Sequence, residues 1–119
     1  MSEWVDKTES ILTALSIPYD FERFSTDPDN PQLPDTYIVY FLVDDVGSAY
    51  SDGKETAHQP RVQVSLYFRD KTEFLTIPDQ IKAAFMSSGF TRGSEGTIPF
   101  QPDTGHYGWR QDFYSYERR

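Results

Sequence analysis

Two adjacent carboxylates, Asp44 and Asp45, are the first residues in this chain that could share work on a proton. Neighbouring residues of a strand point to opposite faces, so the pair is badly placed for joint acid–base chemistry on one substrate. His58 and His106 both sit beside turn sequences, and neither has a metal-ligand partner two to five residues further on. The chain has no cysteine, so a zinc site would have to gather carboxylates around a single histidine. Both histidines therefore read as exposed loop residues. Asp27, Asp29 and Asn30 hint at calcium, but the segment lacks the glycine and the terminal glutamate of an EF-hand loop. Gly93-Ser-Glu-Gly96 is an isolated loop motif, and no dinucleotide fingerprint, P-loop or nucleophile elbow occurs. The expectation is a non-enzyme with no cofactor and no metal.

The elements that position these residues centre on Thr36 to Phe68. Two runs, Tyr37–Val43 and Val62–Phe68, are rich in β-branched and aromatic residues, as suits half-buried strands. Asp52-Gly53 between them fits a two-residue type I′ turn. Counting back from that turn pairs Ser51 with Lys54, Asp44 with Arg61, Val43 with Val62, Phe41 with Val64, Val39 with Leu66 and Tyr37 with Phe68. In this register one face is wholly apolar or aromatic, with Phe41 in the core, and it faces the helices. The polar stretch 44–60 becomes a long hairpin loop, either a projecting arm or a mobile segment.

Around this hairpin the remaining elements follow in order. Trp4, Val5, Thr8, Ile11, Leu12 and Leu15 recur at helical spacing after a candidate cap at Ser2, and Pro18 ends the pattern. Residues 27–35 hold three prolines and read as an extended surface connector. Phe74, Ile77, Ile81, Ala84 and Phe85 mark a second helix, which starts near Pro78 with Thr76 or Ile77 as cap and stops at Gly89. Lys71–Thr76 forms either a separate turn before it or a kinked first segment. Pro102-Asp-Thr-Gly105 signals a turn between two final strands, pairing Phe100 with Tyr107 and Ile98 with Trp109. The last strand carries Tyr107, Trp109 and Phe113 on one face and Arg110, Asp112, Tyr114 and Tyr116 on the other.

The fold class expected is α+β. It comprises an antiparallel, or mixed, sheet of about four strands with two helices on one face, in the order α-β-β-α-β-β. At 119 residues the chain makes a single domain, 1–119, with few core residues but large rings. Its net charge of −8 argues against gripping a phosphate backbone. The first residues lack a basic start and an apolar core, so no signal peptide is expected and the chain is expected to be made in the cytosol. The longest apolar run is seven residues, too short for a membrane span.

The order of these segments resembles the small tail terminator (tail completion, or tail-to-head joining) proteins of long non-contractile-tailed bacteriophages. The likeness is carried by the Tyr-Ile-Val-Tyr-Phe-Leu-Val-Asp-Asp strand, Tyr50-Ser-Asp-Gly-Lys-Glu55 and Arg61-Val-Gln-Val-Ser-Leu-Tyr-Phe68. A helix ending in Ser-Gly-Phe90, then Asp103-Thr-Gly-His-Tyr107 and an aromatic strand, complete it. The resemblance runs from about Thr36 to the end, and spacing rather than any single motif carries it. It implies a structural virion protein in the tail or neck, made in the host bacterial cytoplasm. Such subunits assemble as a hexameric ring, or stay monomeric until they meet the tail tube. The ring caps the tube of tail tube protein, stops its elongation and joins the head-closure protein, with DNA passing through the lumen unbound. No catalytic residue is implied.

An acidic chain suits the wall of a channel through which DNA must slide. Aromatics on both faces of the last strand point to a covered second face and so to oligomerisation. The expected partner and oligomer contacts are Asp44, Asp45, Tyr50, Asp52, Lys54 and Glu55 on the arm, and Arg110, Tyr114 and Tyr116 on the last strand. The competing readings are a monomeric ligand- or peptide-binding module with an aromatic sheet, and another head–tail closure component.

Overall fold

The computed structural model describes residues 3–29, 31–51 and 53–118, with the backbone alone at 48–51 and 55. The elements are α1 (Glu3–Ala14), β1 (Tyr19–Phe21), β2 (Thr36–Ser51), β3 (Lys54–Phe68), a 3-10 turn (Lys71–Leu75), α2 (Ile77–Ser87), β4 (Thr91–Gln101), β5 (His106–Tyr114) and β6 (Glu117–Arg118). They form one mixed sheet of six strands in the order β1-β2-β3-β5-β4, with β6 paired to β3. The α+β class and the two helices stand. The four-strand count, the all-antiparallel option and the simple α-β-β-α-β-β order do not. β1 runs parallel to β2, and β6 folds back onto the hairpin. Both are too short, at three and two residues, to leave an alternating pattern in the sequence.

Of the two options for 44–60, the projecting hairpin arm holds and the loop does not. β2 and β3 stay paired to the turn, where Ser51 lies opposite Lys54 and Gly53 takes a φ of 76°. The longest dimension of the molecule is 52 Å. From Asp44 to Gly47 the pairing is the one counted from the turn, with Asp44 opposite Arg61. At Val43 the ladder shifts by one residue, so that Leu42, Tyr40 and Ile38 lie opposite Val62, Val64 and Leu66. The expected pairs Val43–Val62, Phe41–Val64, Val39–Leu66 and Tyr37–Phe68 are therefore each wrong by one. A single bulged residue inverts the faces of everything beyond it. Ile38 and Tyr40, not Val39 and Phe41, look toward the helices, and Phe41 is only half-buried.

The core lies between this face and the two helices. Trp4, Ile11 and Leu12 of α1 and Ile81 and Phe85 of α2 pack on Ile38, Tyr40, Val62, Val64, Leu66, Trp109 and Phe113. Phe85 stacks on Phe113 with centroids 4.3 Å apart. Tyr40 meets Trp4 edge-on and donates its hydroxyl hydrogen bond to the half-buried Glu9 of α1. Burial first, and the Glu9 carboxylate second, push the Tyr40 hydroxyl well above its ordinary pKa.

α2 begins as its sequence suggests. Thr76 is its N-cap residue, Pro78 sits in the first turn where a missing N–H costs nothing, and Gly89 closes it at a φ of 94°. The candidate cap of α1, Ser2, lies outside the described residues. On the opposite face Phe24, ahead of the proline-rich connector, lies against Tyr37 at 4.9 Å. His106 is fully buried there and donates from Nε2 to the Pro34 carbonyl at 2.9 Å, which corrects its reading as an exposed loop histidine. In the final hairpin the turn forms as expected, but a bulge after Ile98 places Ile98 opposite Gly108 and Thr97 opposite Trp109.

An ionic clamp joins α2 to β4. Lys82 Nζ lies 2.8 Å from Glu95 and 5.9 Å above the Trp109 ring, whose Nε1 donates to Glu95 at 2.8 Å. The Lys82 ammonium and the indole N–H hold the Glu95 carboxyl below its ordinary value of 4.5. A depressed carboxylate contributes stability that is fully present above the ordinary value and lost as pH falls through the folded one. Glu95→Gln should therefore be less stable than the parent at neutral pH, and the gap should close below pH 4.5. Urea melts of both proteins from pH 7 down to the acid limb measure this. A constant gap across that range would mean the clamp does not form.

Candidate interaction surfaces

The hairpin carries a polar cluster that the sequence did not disclose. β6 pairs with β3 at Ala57 and His58, bringing Glu117 against the histidine. His58 Nδ1 lies 2.6 Å from Asp45 Oδ1, and Nε2 lies 3.2 Å from Glu117 Oε1. His58 and Glu117 are each only 4% exposed. Both ring nitrogens thus face carboxylates. His58 was expected as an exposed loop residue; it is the peg that fastens the C-terminal strand to the hairpin.

A second ion pair lies three residues along β3, on the opposite face of the sheet. Arg61 donates to Asp112 Oδ2 from Nη2 at 2.6 Å and from Nε at 3.0 Å, with Asp44 at 3.9 Å and the Tyr114 ring 5.9 Å away. The hydrogen bond from Arg61, with Asp112 almost fully buried, raises the guanidinium pKa further. His58→Ala would leave the Glu117 and Asp45 carboxylates facing a void. Breaking a mostly buried pair costs about 3 kcal/mol, or roughly 10 °C in a domain of this size. Amide exchange at Ala57 should quicken with it. An unchanged melt would show that the peg carries no stability.

The residues expected at interfaces do not converge on one spot. Asp44 is half-exposed near Arg61, Asp45 holds His58, and Lys54 is exposed at the tip. Tyr50 and Glu55 pair through their backbones, while Asp52 lies outside the described residues. Arg110 and Tyr114 are half-buried on the face away from the helices, and Tyr116 is exposed beyond it. Of these, Asp44 and Tyr114 meet around Arg61. Arg61 and Asp112 were the missed members; the register that placed Asp44 opposite Arg61 was the one available signal.

The other surface feature is an apolar cleft of about 450 Å³ at the far end of the sheet. Phe68, Phe74, Leu75, Ile98 and Tyr107 line it, with Lys71 and Thr72 at its edge. It exists because the 3-10 turn, capped by Asp70 through Thr72 N–H, stands off the strand ends rather than packing flat. Leu75 is 75% exposed, and Phe100 reaches the Tyr107 ring at 4.8 Å. Among the described residues no group of three or more potential ligands could hold a metal, and no helix is long and apolar enough to cross a membrane. In comparison with known proteins, no family model matches the chain, and neither does any curated protein.

Proposed function

We propose that this chain is a structural assembly subunit, a tail terminator that caps a phage tail tube as a ring and offers its outer surface to the head-closure protein. The observation that carries this reading is the hairpin. β2 and β3 run 16 and 15 residues, yet β1 supports only Ile38–Tyr40 and β5 only Arg61–Phe68. The rest projects, secured near its middle by β6 and His58. A long two-stranded arm adds little to its own core, and its use is to reach another molecule. The acidic surface agrees with a lumen that lets DNA slide.

The test is to add the purified chain to polymerising tail tube protein. Tubes should stop growing and carry a cap at one end. Unchanged elongation with no bound chain would overturn the proposal. The second reading, a monomeric binding module, is favoured by the apolar cleft, whose volume falls in the range of small-molecule sites.

A further inference from the structure

We propose that the apolar cleft beside the 3-10 turn receives the outer edge of the hairpin from a second copy of this chain, Val46 entering the cleft and Asp44 meeting Lys71. Both halves of the contact are present on one molecule. On the hairpin, Val46 is 56% exposed. Asp44 and Val46 are two residues apart on an unbulged stretch and share one face. In the cleft, Phe74 and Leu75 are exposed beside Lys71. Among the described residues Lys71 has no ion pair, and Asp44 has only the long 3.9 Å approach to Arg61. An apolar side chain next to a carboxylate thus matches an apolar cleft next to an ammonium.

The two halves cannot meet within one copy. Val46 pairs with Gln59, whereas the cleft rests on Phe68 at the other end of the same strand. At about 3.3 Å per residue the separation along β3 is roughly 30 Å. A contact between unlike patches is head-to-tail, and repeating it closes a ring or extends a fibre. The inference rests on the ring-subunit reading and supplies the surfaces that reading lacks.

The chain has no cysteine, which permits a direct test. Val46→Cys protein is mixed with Leu75→Cys protein at the highest soluble concentration and oxidised. The mixed disulfide dimer should dominate, and a chain carrying both substitutions should give a ladder that collapses on reduction. Val46→Cys with Met86→Cys, a site 50% exposed on α2, is the background pair. Lys71→Glu on the cleft partner should abolish most of the mixed dimer, and Asp44→Lys on the hairpin partner should restore it. Yield no higher than background, or Val46→Cys homodimers in preference, would overturn the proposal. Circular dichroism melts confirm that each surface variant is folded. Tube capping is read separately: capping without this cross-link sinks the docking surface alone, and the cross-link without capping sinks the tail terminator reading alone.

Discussion

Phe85→Ala should destabilise the subunit by about 3–5 kcal/mol, the cost of emptying a phenylalanine-sized volume in a close-packed core. The residue is fully buried, stacks on Phe113 at 4.3 Å and meets Phe90 edge-on at 5.1 Å. It is also one of the side chains through which α2 holds β5, so the surroundings cannot collapse without moving the helix. A fall in melting temperature of roughly 12–20 °C follows for a domain of this length. Phe41→Ala is the matched control. Phe41 lies on the sheet face away from the helices and is only half-buried, so its loss should cost far less. Equal losses at the two positions would mean that the bulge at Val43 is absent and the sheet faces are as the turn alone would set them.

The largest functional effect is expected from shortening the hairpin. Replacing residues 49–56 with an Asn-Gly turn keeps Gly47 opposite His58 and retains Ala57, so β6 keeps its partner and the peg to Asp45 and Glu117 survives. The apolar core stays in place: among the described side chains its cluster draws on no residue between Tyr40 and Val62. The shortened protein should melt within a few degrees of the parent. It should fail to cap tail tubes, while the Val46 and Leu75 cross-link between copies should persist. Normal capping by the shortened chain would make the distal arm a passive extension.

What the sequence disclosed and what it hid divide along physical lines. Helix limits were legible because they are local. Thr76, Pro78 and Gly89 mark α2 by backbone chemistry that needs no partner, and the same holds for the turns at Gly53 and Gly105. Pairing counted from Asp52-Gly53 was right at Ser51, Tyr50 and Gly47 to Asp44, off by one at Ala49, and wrong from Val43 inward. Leu42-Val43-Asp44 contains no glycine or proline to announce a bulge, and both registers gave a tolerable apolar face. The candidate surfaces were least legible. His58 is buried only because a two-residue strand from the far end of the chain lies across it. The cleft arises from how a 3-10 turn stands on strand ends, which no periodicity records.

The strand order has a consequence for how the molecule comes into being. β3 lies at the centre of the sheet, between β2, which precedes it directly, and β5, which is made only after the 3-10 turn, α2 and β4. During synthesis the hairpin can close early, but the far edge of β3 waits with Val62, Val64 and Leu66 uncovered. Joining contacts so distant along the chain makes folding slow and leaves an intermediate open to pairing with other chains. Chains halted before His106 should therefore accumulate as aggregates rather than as soluble fragments, and a cell making this protein in quantity should commit chaperones to it until Tyr114 has emerged.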